Sequence, residues 1–254
     1  MDNDCRVLVI IPAYNESENI EQVIGRIMEY QAKVNRTADG QAGGAICCDY
    51  LIVNDGSTDN TWKICKEKHY NYLDLPINLG IGGAVQAGYV YARKNDYDIA
   101  VQIDGDGQHD IHYLGDMLKP ILAEEADVVI GSRFLRKEGY QSSFLRRTGS
   151  KILSLLIRLT TGRKIYDVTS GYRVVNRKFI NIYSKDYPTD FPEPEAIVTA
   201  VMYGGKVLEV PVKMKAREGG KSSITFRRSV YYMIKVTLAI LVCRLSYGVR
   251  RSKS

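Results

Sequence analysis

The chain has 254 residues, 45% hydrophobic and 25% charged, a balance that excludes a disordered or fibrous protein. Its net charge of +6 hides a division: residues 1–132 hold 10 Lys+Arg against 21 Asp+Glu, and residues 133–254 hold 25 against 8, so the second half is suited to an anionic surface or ligand. Five cysteines, an odd number with no CxxC pair, speak against a disulfide framework or a zinc site and fit a reducing compartment.

The N-terminus runs directly into a strand-like segment with no signal-peptide architecture, which predicts a cytoplasmic-facing protein. Val7-Leu8-Val9-Ile10-Ile11 reads as a buried parallel strand closed by Pro12. From Ser17 a helical pattern places Ile20, Val23, Ile24, Ile27 and Met28 on one face, and residues 35–46 read as a loop. Leu51-Ile52-Val53 is a second buried strand, followed by a helix capped by Thr58 or Asp59 and running to about His69. Gly80–Lys94 is predicted as a helix, Ile99–Ile103 and Val128–Ile130 as strands, Phe144–Thr161 as a helix, Val207–Val212 as a strand and Ser229–Leu245 as a helix.

Alternating strands and helices predict an α/β protein with a mainly parallel central sheet flanked by helices. Polar clusters follow the strands: Asn15-Glu16, Asp55, Asp104 with Asp106, and Arg133. In open α/β sheets ligands bind at the carboxyl ends of strands, so these clusters are expected to line one crevice. Asp104 and Asp106 flank a single glycine, and with Gln108 they offer hard oxygen ligands suited to Mg²⁺ or Mn²⁺ shared with phosphate oxygens. The alternative for this run is a loop of Asx turns with no ligand. Gly80-Ile81-Gly82-Gly83 is not a dinucleotide fingerprint, because Val85 stands where the third glycine is required. It reads better as a helix start that lets phosphates approach, or as close helix packing at Gly83 and Gly88.

Pro12-Ala13-Tyr14-Asn15-Glu16, Val53-Asn54-Asp55-Gly56-Ser57-Thr58-Asp59, Asn78-Leu79-Gly80, Asp104-Gly105-Asp106-Gly107-Gln108-His109 and Gly131-Ser132-Arg133 occur in the order found in family 2 glycosyltransferases. Over about residues 6–225 the chain resembles their polyprenyl-phosphate sugar transferase group, which includes dolichyl-phosphate mannosyltransferases. The resemblance implies the GT-A (nucleotide-diphospho-sugar transferase) fold and inverting transfer of a hexose, mannose or glucose, from a nucleotide-diphosphate sugar to a polyprenyl phosphate. It implies that Pro12, Tyr14, Asn15 and Glu16 border the nucleotide, that Asp55 contacts base or ribose, and that Gly80 lies beside the donor. Glu16 reads equally as a helix N-terminal charge. Asp104, Asp106 and Gln108 would hold metal and diphosphate, with Arg133 as a further catalytic group. Arg133, Arg146 and Ser150 match the acceptor-phosphate pattern, Arg146 and Ser150 being i and i+4 on one helix face. Asp167 and Ser170 would shape the sugar pocket, Arg173 would be structural, and Glu195 would be a conformational or donor-contacting acid. Arg217 and Lys221 would belong to a mobile basic loop over the diphosphate. His109 reads either as lining the diphosphate or as capping the next helix. A lipid phosphate is already an anionic nucleophile and needs no strong general base.

The catalytic domain is expected over residues 1–225, including an interface helix at about 144–161, with residues 226–254 as a basic amphipathic membrane-interface segment. No stretch reaches the ~20 apolar residues of a membrane span, so a peripheral enzyme on the cytoplasmic face of a membrane is expected. The short tail predicts a separate integral membrane partner. Three readings compete. One is a glycosyltransferase with a hydroxyl acceptor in cell-surface polysaccharide synthesis; a processive synthase is disfavoured because Trp62 is the only tryptophan and no Q-x-x-R-W motif exists. A nucleic-acid or anionic-lipid binding module is another, though the basic residues interleave with aliphatic side chains and no nucleic-acid partner is expected. The third, a nucleotidyltransferase, is opposed by the Asp55 and Gly131-Ser132-Arg133 motifs.

Overall fold

The computed structural model describes residues 4–37, 46–136, 144–190, 192–215 and 226–251, without side-chain detail at 35–37, 144–147, 226–230 and 246–251. A seven-stranded sheet runs in the order β3-β2-β1-β4-β6-β5-β7. Its strands are β1 (Cys5–Ala13), β2 (Ile46–Asn54), β3 (Tyr72–Asp74), β4 (Ile99–Gln102), β5 (Val128–Ser132), β6 (Arg173–Asn176) and β7 (Val207–Pro211). The helices are α1 (Ile20–Thr37), α2 (Thr61–Glu67), α3 (Gly80–Lys94), α4 (Leu114–Leu122), α5 (Phe144–Thr161), α6 (Arg177–Tyr183), α7 (Pro192–Met202) and α8 (Phe226–Arg251).

The β1 run is apolar on both faces because both are covered. Val7, Val9 and Ile11 pack with Ile20, Ile24 and Ile27 of α1 and Leu114 and Met117 of α4. Leu8 and Ile10 pack with Ala84, Val85 and Tyr89 of α3 and with Phe179 and Tyr183 of α6. A third cluster joins Leu153 and Ile157 of α5, Ile197 and Val198 of α7, and Val236 and Ile240 of α8.

β1 extends through Pro12, which was expected to close it, and Pro12 pairs with Val53 of β2. The missing amide is tolerated because β4 leaves the ladder first: Ile103 donates to Ile10 O, and Pro12 faces that vacated side. α1 begins at Ile20 rather than Ser17, since Glu16 O already accepts from Asn19 and Ile20. α2 has Asn60 at its N-cap, while the Asp59 carboxylate accepts from Thr61 N. The short edge strand β3 and the strand β6 were not anticipated.

β6 decides the geometry of the site. It lies antiparallel between β4 and β5, so its first residue, Arg173, sits at the edge where β1, β2, β4 and β5 end. The four polar clusters that follow the parallel strands therefore meet a fifth segment, residues 167–173, arriving from the other direction.

Candidate active site

The loop after β4 is built by its own side chains. Asp106 Oδ1 accepts from Gln108 N at 3.0 Å, and Gly107 takes φ +75°, a left-handed turn that glycine adopts without strain. His109 Nδ1 accepts from Asp104 N at 2.9 Å, closing the loop on itself. Lys215 N donates to Gln108 O at 2.9 Å, tying the loop to the segment after β7. The Asx-turn alternative is thus present as scaffolding, and it leaves the Asp104 side chain 38% exposed at the crevice. Burial of the His109 imidazole pushes its pKa down to about 4, against the raising effect of Asp106, so the ring is neutral near pH 7.

The β1 and β2 loops are locked together. Asn15, at φ +56°, accepts through Oδ1 from Thr58 N at 2.8 Å and Asp59 N at 3.2 Å. Glu16 N donates to Thr61 Oγ1, and Glu16 Oε2 accepts from Asn19 Nδ2 at 2.7 Å. Asp55 is buried, and its Oδ1 accepts from Leu79 N at 2.7 Å, fixing the start of α3. Burial pushes the Asp55 carboxyl up, and the Leu79 and Gly80 amides hold it back. Tyr14 remains half exposed, Gly80 opens α3 with φ +77°, and Pro12 O approaches Gly105. Asn15 and Asp55 therefore work first as braces of this wall of the crevice.

On the other side Arg133 follows β5. Its Nε donates to Asp167 Oδ2 and its Nη2 to Asp167 Oδ1, each at 2.7 Å, and Nη2 also reaches Thr169 Oγ1 at 2.9 Å. Asp167 is fully buried, and its own amide donates to Glu209 Oε1. Ser170 is buried, its Oγ accepting from Tyr172 N. Asp167 and Ser170 are thus internal supports, and the residue that meets Asp104 is Gly171. A Cβ on Gly171 would stand 2.8 and 2.9 Å from the two Asp104 carboxylate oxygens. Arg173 is structural as expected: it is buried, with Nε donating to Ser170 O and Nη2 to Glu193 O at 2.6 Å.

Two residues of this wall were missed in the sequence. Glu193, half-buried at the start of α7, lies within electrostatic reach of Arg173, Asp104 and Arg133. Tyr232 of α8 is influenced by Glu193, Arg173 and Arg133. Glu195 stands elsewhere, lining a cavity of about 310 Å³ with Asp186, Asp190 and Lys235. Residues two apart on a helix point to nearly opposite sides, and the sequence offered no signal for which glutamate faced inward. Ser150 on α5 is buried with its hydroxyl unpartnered among the described residues. The Arg146 side chain, Arg217 and Lys221 lie outside the described residues.

With this geometry in place, the family assignment is direct: the glycosyl transferase family 2 model matches residues 8–182. The chain belongs to glycosyl transferase family 2. It is 29% identical to polyprenol monophosphomannose synthase of Mycolicibacterium smegmatis, covering 91% of this chain and 85% of that one. It is 30% identical to undecaprenyl-phosphate mannosyltransferase of Micrococcus luteus, covering 87% and 88%. Among solved structures, glucosyl-3-phosphoglycerate synthase of Mycobacterium tuberculosis, in complex with Mn²⁺ and uridine diphosphate, superposes with a TM-score of 0.69 at 19% identity, covering 94% of this chain and 79% of that one. This family 2 glycosyltransferase has the GT-A fold, an α/β protein with one central sheet flanked by helices. Among its described residues no helix is long and apolar enough to cross a membrane.

Proposed function

We propose that this glycosyltransferase transfers a hexose, mannose or glucose, from a nucleoside diphosphate sugar to a polyprenyl phosphate at the cytoplasmic face of a membrane. The observation that carries the reading is the opposition of the Asp104–Asp106 loop to a pinned guanidinium, Arg133, at one edge of the sheet. The relatives named for polyprenyl and undecaprenyl phosphate acceptors support it.

The residues fit a divalent ion. Two carboxylates share the loop after β4, and the described residues gather no group of three His, Cys, Asp or Glu side chains that could hold a metal alone. That donor set suits Mg²⁺ or Mn²⁺ completed by phosphate oxygens, held by Asp104, Asp106 and Gln108. When bound, the ion neutralises charge on the departing nucleoside diphosphate. Pro12, Tyr14, Asn15, Glu16, Asp55 and Gly80 enclose the nucleotide, and Arg217 and Lys221 complete the diphosphate's surroundings. Arg133, with Arg146 and Ser150, holds the acceptor phosphate; an immobilised guanidinium orients an anion at little entropic cost. The phosphate oxygen attacks the anomeric carbon in one inverting displacement, needing position rather than a strong base.

A second reading has a specific observation in its favour. Glu193 places a carboxyl of raised pKa near Asp104, where a hydroxyl acceptor would use a general base. The two are separated by incubating the chain and Mg²⁺ or Mn²⁺ with a panel of nucleotide sugars, and either polyprenyl phosphates or hydroxyl acceptors, then reading products by mass spectrometry. Lipid-linked monophosphate sugar is the expected product. Its absence with every donor overturns the main reading, and product on hydroxyl acceptors alone establishes the second.

A further inference from the structure

We propose that His109 is a positioning residue for the Asp104–Asp106 loop, acting through Nδ1 as the acceptor that fixes the Asp104 amide. The two are five positions apart, and the 2.9 Å bond from Asp104 N to Nδ1 closes the whole segment into a ring. Inside that ring stand Asp106, bonded to Gln108 N, and the left-handed Gly107. Lys215 N and the Arg26 guanidinium hold the far side of the loop through Gln108 O and Gly107 O, while the end from which Asp104 projects is closed by the imidazole nitrogen.

The histidine is fixed from outside as well. Its side chain is 3% exposed, and the ring stacks on Tyr172 with centroids 5.2 Å apart and planes 29° apart. Tyr172 follows Gly171, whose Cα hydrogens face the Asp104 carboxylate at the distance where a Cβ would collide. One side of Asp104 is thus held by His109 at its amide, and the other is limited by Gly171 at its carboxylate. Because Nδ1 accepts, the proton of the neutral ring resides on Nε2, which lies 3.6 Å from Asp104 Oδ2. That distance is too long for a hydrogen bond, so the amide contact is the one that positions. Removing the acceptor leaves a partly buried N–H unpaired and frees the strand end from which Asp104 projects.

The proposal rests on the reading of Asp104 and Asp106 as metal ligands. The test is the affinity of the intact chain for Mn²⁺, followed by the free-ion electron paramagnetic resonance signal in the presence of GDP and, separately, UDP. His109→Phe keeps an aromatic ring against Tyr172 and removes the acceptor; Mn²⁺ affinity is expected to fall roughly 10- to 100-fold. In His109→Asn the amide oxygen takes the place of Nδ1, and affinity is expected to stay within roughly threefold of wild type. Thermal melts show which variants are folded, and if His109→Phe is not, His109→Gln replaces it, since its oxygen sits one bond too far out. A histidine with only a core-filling role would change the melting temperature of these variants and leave Mn²⁺ affinity alone. Wild-type affinity in folded His109→Phe overturns the proposal, and His109→Asn as weak as His109→Phe overturns Nδ1 as the acting atom. A wild-type chain that binds no Mn²⁺ with either nucleotide overturns the metal reading itself and the proposal with it.

Discussion

Asp167 grips Arg133 with both carboxylate oxygens, two parallel bonds of 2.7 Å that leave the guanidinium no freedom to swing. The grip is reinforced from both ends: Arg133 N also donates to Asp167 Oδ2, and the Asp167 amide is held by Glu209. Desolvation, the largest single influence, would lower the Arg133 pKa, and the Asp167 carboxylate together with Asp104 and Glu193 more than reverses it. A fixed charge is thereby presented near Asp104, which itself favours the charged arginine. Order at this position comes from a buried acid more than thirty residues away in sequence.

Asp167→Asn tests that dependence. An asparagine can accept one of the two bonds, but its amide hydrogens face the donor Nη2. Breaking a largely buried ion pair from one side costs about 3 kcal/mol, so the variant should melt well below wild type in thermal or urea denaturation. Transfer should fall by about tenfold or more as Arg133 loses its orientation. A variant with wild-type stability and turnover would show that the pair positions nothing.

Gly171→Ala is the smallest change that should disable the site. The added carbon would stand 2.8 and 2.9 Å from the Asp104 carboxylate oxygens, closer than van der Waals contact permits. Either the carboxylate or the 167–173 segment must shift, and displacement near 1 Å at a reacting centre can cost about 100-fold in rate. The expected result is a folded protein, judged by circular dichroism, with turnover reduced at least about tenfold. Full activity would mean that Asp104 is free to turn away without consequence.

Much of this wall was legible in the sequence, and the rest was hidden for physical reasons. Strands buried on both faces announce themselves as continuous apolar runs, so β1, β2, β4 and β5 could be placed, and the polar residues ending them marked the crevice. β6 could not be read in the same way, because its four residues, Arg173-Val174-Val175-Asn176, carry no periodicity and nothing local signals an antiparallel insertion. Asp55 and Asn15 were recognisable as special, but not their bonds to Leu79, Thr58 and Asp59, which only the tertiary fold supplies. The choice between Glu193 and Glu195 depended on the rotation of α7 about its axis, which the neighbouring helices set.

Glu193→Gln separates the acceptor readings and carries a pH signature. Burial is the largest influence on its carboxyl and raises the pKa; Asp104 adds to this, while Arg173 and Arg133 oppose it. The native state therefore keeps a proton that the unfolded chain releases from about pH 4.5 upward, and wild-type stability is lost as pH rises through that window. Glutamine cannot ionise, so the stability of the variant relative to wild type should grow as pH rises from about 4.5 until the native carboxyl itself ionises, measured by denaturant titration at several pH values. Activity on a polyprenyl phosphate should fall less than about tenfold, since that nucleophile needs no base, whereas loss of a general base costs about 10²–10⁴. A loss in the larger range would favour the hydroxyl-acceptor mechanism.

The outer surface of α5 and α8 supplies the last prediction. Ile152, Leu155 and Leu159 of α5 are more than half exposed at helical spacing, and so are Tyr231, Ile234, Leu238, Val242 and Leu245 of α8. The opposite side of α8, through Val236 and Ile240, is sealed into the core, so the exposed stripe is not needed to close the fold. Exposed Lys151, Arg158 and Arg244 lie on the same helices, the combination that holds an amphipathic surface against anionic lipid. The chain should therefore sediment with vesicles containing phosphatidylglycerol and less with neutral ones, and added salt should weaken the association. Burying an aliphatic side chain is worth about 1.5 kcal/mol or more, so replacing Ile234, Leu238 and Leu245 together by serine should reduce vesicle binding by at least about 100-fold, allowing for partial insertion. The same variant should keep its melting temperature, because the three side chains project away from the core. Its transfer to a short, water-soluble prenyl phosphate should be unchanged, while transfer to a long polyprenyl phosphate in vesicles should fall with binding. Equal vesicle binding by the triple variant and wild type would remove this face from the membrane, and parallel losses on both acceptors would mean that it supports the site instead.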